Sequence, residues 1–193
     1  MRRILVAACT AAVVLVTPAV AEARTLHVRD AKNDVFTISG SGELVKVGSM
    51  PNVDLRRTTI RHRAHRVVVI GKYVDLRKNK DLVTYAVELR TNTGLTRDAV
   101  VTTGPGMRRG EVHFTGRQKE LRCKGITHRI SYRGNTVRVS IPRSCLNRPR
   151  YVQAQTMALS MGDLTDPDTS IFVDNGMGKR IPEVEDWSRK VRR

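Results

Sequence analysis

Strict alternation of apolar and polar side chains is the feature that most constrains the fold of this chain. In residues 83–90 every second side chain is apolar, from Val83 to Leu89. Because successive side chains of a β-strand point to opposite faces, this pattern predicts a strand with one face against a core and the other toward water. The same alternation in residues 126–133 and 137–141 predicts a β-hairpin whose second strand ends at Pro142.

A run of β-branched residues at Val67–Ile70 predicts a different kind of strand, one that is covered on both faces or lies at the centre of a sandwich. Turn sequences rich in glycine, proline and asparagine separate further predicted strands at residues 35–39, 56–61, 98–103, 111–115, 151–159 and 170–173. About nine short strands without a helical period predict an all-β fold, a two-sheet antiparallel β-sandwich or jelly roll. We expect this domain to span residues 24–180.

The C-terminal residues 181–193 depart from the strand pattern. Acidic residues come first after Pro182, and basic residues follow from Arg189 to the end. This order suits the dipole of a short C-terminal helix, and a frayed charged tail is the alternative.

The first 23 residues have the order of a secretory signal peptide. Arg2 and Arg3 precede an apolar run over Ile4–Val16, and Ala-x-Ala motifs end at Ala21 and Ala23. The run is shorter than the roughly 20 residues that a membrane-spanning helix needs. We therefore expect cleavage after residue 23, with cleavage after residue 21 as the alternative, and a secreted or extracytoplasmic protein that retains no transmembrane segment.

The cysteine count fits an oxidising compartment. Cys9 lies in the predicted signal peptide, which leaves Cys123 and Cys145 as a pair. The two are 22 positions apart, unlike the Cys-x-x-Cys spacing of redox motifs, so a structural disulfide between them is predicted.

The formal net charge is +17, and it falls only to +16 when residues 1–23 are removed. Such a charge favours polyanionic partners, and the composition bias of a genome rich in GC is the alternative source of the arginines. One concentration of basic residues is the predicted anion-binding site: Arg56, Arg57, Arg61, Arg63 and Arg66. A second contains Arg108, Arg109, Arg117, Lys119, Arg122 and Lys124.

No catalytic motif, metal site or cofactor is predicted. The sequence contains neither a nucleophile elbow nor a phosphate-binding glycine loop, and its histidines lack ligand spacing. Asp163, Asp166, Asp168 and Asp174 form an acidic cluster, but strong turn sequences make turn formation the favoured role there. An irregular calcium site in this cluster, or at Asp30 with Asp34, is the alternative.

Several segments carry a family resemblance: residues 53–57, the run Val67–Ile70, Asp75-Leu76 and residues 141–146. With them the chain resembles uncharacterised small secreted proteins of high-GC Gram-positive bacteria, whose predicted sandwich is similar to carbohydrate-binding and DOMON-type domains. The resemblance implies a fold and export, and no functional residue is transferred from it.

The function expected from the charge is that of a non-enzymatic binding domain that associates electrostatically with anionic cell-wall polymers or lipid head groups of the cell envelope. Nucleic acid is a weaker candidate, because aromatic residues for base stacking are few, 4% of the chain. The alternatives are a secreted enzyme with a site built from distant loops and a secreted protein-interaction or inhibitor domain.

Overall fold

The computed structural model describes residues 24–38, 42–78, 81–162, 170–178 and 186–193. The predicted signal peptide, residues 1–23, lies outside the described residues, as do Asp163, Asp166 and Asp168. In the part of the chain that is described, no helix has the length and apolarity required to cross a bilayer.

The described residues form strands β1 to β14 and one short 3-10 helix. The strands are Arg24–Arg29, Val35–Ile38, Leu44–Gly48, Leu55–His62, Arg66–Tyr73, Leu82–Thr91, Thr96–Thr103, Glu111–Gly116, Lys119–Glu120, Thr127–Ser131, Thr136–Pro142, Tyr151–Met161, Ile171–Asn175 and Val191–Arg192. The 3-10 helix, Arg143–Leu146, follows β11.

These strands form two antiparallel sheets packed as a sandwich, which confirms the predicted fold class. The five-stranded sheet has the order β1-β4-β5-β11-β10. The nine-stranded sheet has the order β3-β2-β13-β12-β6-β7-β8-β9, and β14 pairs with β12 beside this path. The hairpin predicted from the alternation is β10 and β11.

The core lies between the sheets and follows the period-two pattern. In β6, Val83, Tyr85, Val87 and Leu89 are buried, and the residues between them are partly exposed. The β-branched run lies in β5, which pairs with β4 on one side and β11 on the other. Val67, Val68 and Val69 are all buried there, and β5 is the central strand of its sheet, which is the second of the two predicted alternatives.

The predicted C-terminal helix is wrong for residues 186–193. This segment is extended, and Val191 and Arg192 pair with β12. Val191 is buried in the core, and its carbonyl oxygen lies 3.0 Å from His62 Nδ1. The guanidinium carbon of Arg90 lies 4.4 Å from the ring centre of Trp187. Strand pairing and burial outweigh the local helical preference, which is a weak determinant in a segment this short.

The predicted disulfide joins Cys123 to Cys145, with their Cα atoms 5.9 Å apart. Cys123 precedes β10 and Cys145 lies in the 3-10 helix after β11, so the bond closes the β10–β11 hairpin. On the chain-entropy model, a disulfide that closes a loop of this length stabilises the fold by about 3 kcal/mol.

Candidate functional site

The five-stranded sheet carries charge of only one sign. Its strands contain no aspartate or glutamate, and they contain nine basic residues: Arg24, Arg29, Arg56, Arg57, Arg61, Arg66, Lys72, Arg129 and Arg138. The inner face of this sheet packs on the core. Because side chains along a strand alternate between the two faces of the sheet, most of these cations lie on the outer face.

The strand register shows how the cations align across that face. Arg29, Arg57 and Lys72 are consecutive partners on β1, β4 and β5 and form one row. Arg129 and Arg138 are partners on β10 and β11 in the next row. Together with Arg61 and Arg66 on β4 and β5, these side chains are called the cationic face below: Arg29, Arg57, Arg61, Arg66, Lys72, Arg129 and Arg138.

The side chains of the cationic face contact neutral groups rather than carboxylates. Arg66 donates from Nε to Ser140 Oγ at 2.6 Å and from Nη2 to the carbonyl of Gly125 at 2.5 Å. Lys72 Nζ donates to the carbonyl of Gly134 at 2.6 Å. Among the described residues no aspartate or glutamate forms an ion pair with any member of the face, so its positive charge is not compensated within them.

In the nine-stranded sheet, by comparison, positive and negative charges are equal in number. Its strands contain five acidic residues and five basic ones: Asp98, Asp174, Glu88, Glu111 and Glu120 against Arg90, Arg97, Arg192, Lys46 and Lys119. A composition bias alone would distribute arginine over both sheets. The basic residues of the strands are instead concentrated on one side of the sandwich.

The predicted anion-binding residues all lie on or beside this face. Arg57, Arg61 and Arg66 belong to it. Arg56 occupies the irregular pairing position between Leu55 and Arg57 and is exposed. Arg63 is exposed in the turn between β4 and β5. Sequence reasoning missed Arg29, Lys72, Arg129 and Arg138 as members, because strands distant in the sequence carry them.

The second basic concentration is spread over loops and one short strand. Arg108 and Arg109 lie between β7 and β8, and Arg117 follows β8. Lys119 lies in β9, while Arg122 and Lys124 flank the disulfide cysteine that precedes β10. These residues do not share one face of a sheet.

A second arrangement of charge is a cluster of buried carboxylates where the two sheets meet. Asp34, Asp54 and Asp174 are 3%, 1% and 1% exposed, and one carboxylate oxygen of each lies within 4.8 Å of the others. Asp34 immediately precedes β2, Asp54 immediately precedes β4, and Asp174 lies in β13. Asp30, which follows β1, adjoins the cluster and interacts electrostatically with Asp34 and Asp174.

Backbone amides bind part of this carboxylate cluster. The amide of Leu55 donates to Asp174 Oδ2 at 2.6 Å, and the amide of Asn33 donates to Asp54 Oδ2 at 3.0 Å. Asp30 Oδ1 accepts from the amide of Ala31 at 3.1 Å. Asp54 Oδ1 is buried and accepts no hydrogen bond.

Burial and mutual repulsion raise the pKa values of two carboxyls at the cluster. Burial raises the pKa of Asp30 to about 9, and the charges of Asp174 and Asp34 contribute to this rise. Burial likewise raises the pKa of Asp174 to about 8; the amide of Leu55 opposes this shift, and the charges of Asp34 and Asp54 contribute to it. Both carboxyls therefore bind protons more tightly than ordinary aspartates do.

Sequence reasoning finds only part of this cluster. It pairs Asp30 with Asp34, and places Asp174 in another grouping, as alternative calcium ligands, but it does not include Asp54. Asp163, Asp166 and Asp168 of that other grouping lie outside the described residues. No local motif marks Asp54, because its neighbours in the cluster come from distant parts of the sequence.

An open cavity of about 240 Å³ lies on the nine-stranded sheet, with Ala86, Val100 and Met157 among its lining residues. The carboxylates of Glu88 and Asp98 also line it. Gln155 donates to Glu88 at 2.6 Å, and Thr115 donates to Asp98 at 3.3 Å. Both carboxylates thus act as acceptors for neighbouring side chains within the sheet.

Comparison with known proteins returned no similarity: no protein-family model matches the chain, and neither a curated protein nor a solved structure is significantly similar to it. The resemblance to small secreted sandwich proteins stays a prediction.

Proposed function

We propose that the protein is an exported, non-enzymatic binding domain whose cationic face associates with anionic polymers of the cell envelope. The observation that carries the proposal is the separation of charge between the two sheets. Nine basic and no acidic residues occupy the strands of the five-stranded sheet.

The geometry of a β-sheet suits a polymer with repeating negative charges. Adjacent strands lie about 4.8 Å apart, and alternate residues along a strand about 7 Å apart, so side chains on one face form a regular grid. A five-stranded sheet is therefore about 20 Å wide at its backbone. A chain of phosphates or carboxylates can contact several cations of this grid at once.

The composition of the cationic face favours phosphate and carboxylate groups. Six of its seven members are arginines, and Arg29, Arg57, Arg129 and Arg138 are exposed. A guanidinium binds such anions through two parallel hydrogen bonds and keeps its charge at every physiological pH. Binding by these groups displaces counterions from the polymer, and it should therefore weaken steeply with salt.

The experiment is co-sedimentation of the purified protein with isolated cell-wall material across a salt series. The test variant replaces Arg56, Arg57, Arg61 and Arg63 by glutamine, which removes four charges on or beside the cationic face. The matched control replaces Arg108, Arg109, Arg117 and Arg122 by glutamine and removes the same number of charges elsewhere.

We expect wild type and the loop control to sediment with the wall at low salt and to be released as salt rises. The face variant should remain in the supernatant at salt concentrations at which the control still binds. Absence of wild-type binding at low salt would refute the proposal. Equal losses of wall binding in the two variants would show that binding depends on net charge and not on the cationic face.

A further inference from the structure

We propose that Asp34, Asp54 and Asp174, with Asp30 beside them, form a calcium site between the two sheets. The inference is independent of the function proposed for the cationic face, because none of these aspartates belongs to that face. It concerns a ligand of opposite charge on a different part of the sandwich.

The geometry of the three central carboxylates fits a single hard cation. Calcium takes oxygen ligands at about 2.3–2.6 Å, so two ligands on opposite sides of one ion lie about 5 Å apart. Oxygens of Asp34, Asp54 and Asp174 within 4.8 Å of one another can therefore bind the same ion. Asp30 lies beside these three and interacts electrostatically with Asp34 and Asp174, and water completes the coordination of such sites.

A buried oxygen without a hydrogen-bond donor is the second observation that points to a cation. Asp54 is 1% exposed, yet its Oδ1 accepts no hydrogen bond. Within the described residues, no lysine or arginine forms an ion pair with Asp54 or Asp174. Buried charges in proteins are normally paired or bound to metal, so this oxygen lacks a partner that a cation would provide.

A non-acidic side chain adds to this evidence. The ring of Tyr73 is fully buried, and its hydroxyl oxygen has no hydrogen-bond partner. Burial raises the pKa of this hydroxyl, and the charges of Tyr85 and Asp174 contribute to the rise. Tyr73 is the β5 partner of Leu55, whose backbone amide donates to Asp174. Tyr73 thus places a buried aromatic ring near the proposed ion.

A calcium ion here would link the two sheets. Asp30 and Asp34 lie at the ends of the β1–β2 connection, which passes from the five-stranded to the nine-stranded sheet. Asp54 borders β4 in the first sheet, and Asp174 lies in β13 of the second. An ion bound by the folded protein alone would stabilise it by mass action.

The first test is thermal unfolding of the full chain in EDTA, then with calcium chloride up to about 10 mM, which exceeds the weakest dissociation constants of extracellular calcium modules, about 1 mM. Magnesium chloride serves as the comparison ion. Asp54→Asn removes a candidate ligand, Asp30→Asn removes a neighbouring negative charge, and Asp98→Asn on the nine-stranded sheet is the matched control.

We expect calcium to raise the unfolding temperature of wild type and of Asp98→Asn, and magnesium to do so less. Asp54→Asn and Asp30→Asn should weaken calcium binding by about tenfold or more. Both variants should fold in EDTA, since each relieves repulsion among carboxylates. No shift in wild type, an equal shift in Asp54→Asn, or a larger shift with magnesium would overturn the proposal.

Terbium provides a second readout that does not depend on a variant that removes a ligand. This lanthanide replaces calcium at oxygen sites and emits when a nearby aromatic ring transfers excitation to it. We expect tyrosine-sensitised terbium emission that decreases when calcium displaces the terbium. Tyr73→Phe should reduce this emission and still show the calcium-induced rise in unfolding temperature. Emission that calcium does not reduce would show that terbium binds at a different site, and it would contradict the proposal.

Discussion

The backbone amide of Leu55 donates a hydrogen bond of 2.6 Å to the Oδ2 atom of Asp174. Leu55 is the first residue of β4 in the five-stranded sheet, and Asp174 lies in β13 of the nine-stranded sheet. Both residues are buried. The bond therefore joins the two sheets across the carboxylate cluster, in a place where water cannot replace the acceptor.

Replacement of Asp174 should separate the role of the acceptor from that of the charge. Asp174→Ala leaves the Leu55 amide without an acceptor, and we expect it to lower the free energy of unfolding by about 1–3 kcal/mol. Asp174→Asn retains a carbonyl oxygen and removes a carboxyl whose ionisation is opposed by burial and by the charges of Asp34 and Asp54. Denaturant unfolding in EDTA should place Asp174→Asn at or above wild-type stability, and a loss equal to that of Asp174→Ala would contradict this assignment.

His62 should contribute less to the stability of the fold below pH 6.5 than above it. Burial lowers the pKa of this imidazole below 6.5, and the charges of Arg143 and Arg193 lower it further, while the Val191 carbonyl opposes the shift. As pH falls through 6.5 the unfolded chain therefore binds a proton that the folded protein binds less readily. The stabilisation from neutral His62 is thus present above pH 6.5 and is lost as pH falls toward the lowered pKa of the folded state.

Denaturant unfolding at a series of pH values tests this with two variants. We expect the stability of His62→Gln relative to wild type to increase between neutral and mildly acidic pH, because the group that gains the proton is gone. His65→Gln, at an exposed position in the β4–β5 turn, should follow the wild-type curve. Parallel curves for wild type and His62→Gln would rule out His62 as the titrating group.

Gly71 in β5 is required because the ring of Tyr85 in β6 packs against its Cα. A Cβ at position 71 would lie 2.5 Å from Cε2 of Tyr85. We expect Gly71→Ala to lower the free energy of unfolding by about 1–3 kcal/mol through overpacking. Gly104→Ala is the control, since its new Cβ meets the flexible end of Leu82 at 3.3 Å. Equal unfolding midpoints for the two variants would contradict the close approach.

The sequence predicts the architecture where one face of a strand is buried and fails where burial is weak. The alternation in β6 and the β-branched run in β5 each identify a strand, because the core imposes a period on them. The sequence does not predict strand β3, Leu44–Gly48, whose apolar residues Leu44, Val45 and Val47 are exposed. An edge strand of this kind carries no periodic signal, and pairing with β2 alone defines it.

The candidate sites are harder to predict, since strand order brings their members together. Arg57 and Arg61 are neighbours in the sequence, which is why sequence reasoning groups them. Arg138 joins them only because β11 lies next to β5 in the sheet. In the same way Leu55 and Asp174, which are 119 positions apart, meet where the two sheets close on each other. No local pattern encodes either arrangement.

The most direct test of the cationic face uses the residues that only the fold assigns to it. The affinity for linear polyphosphate is measured across a salt series for wild type and for a variant with Arg129→Gln and Arg138→Gln. The control carries Arg108→Gln and Arg109→Gln, which remove the same charge from a loop. We expect the face variant to bind more weakly and the control to resemble wild type. The salt slope of the face variant should be smaller by about one for each arginine that binds a phosphate in wild type. An unchanged affinity in the face variant, or an equal loss in the control, would show that the cationic face does not bind the polymer.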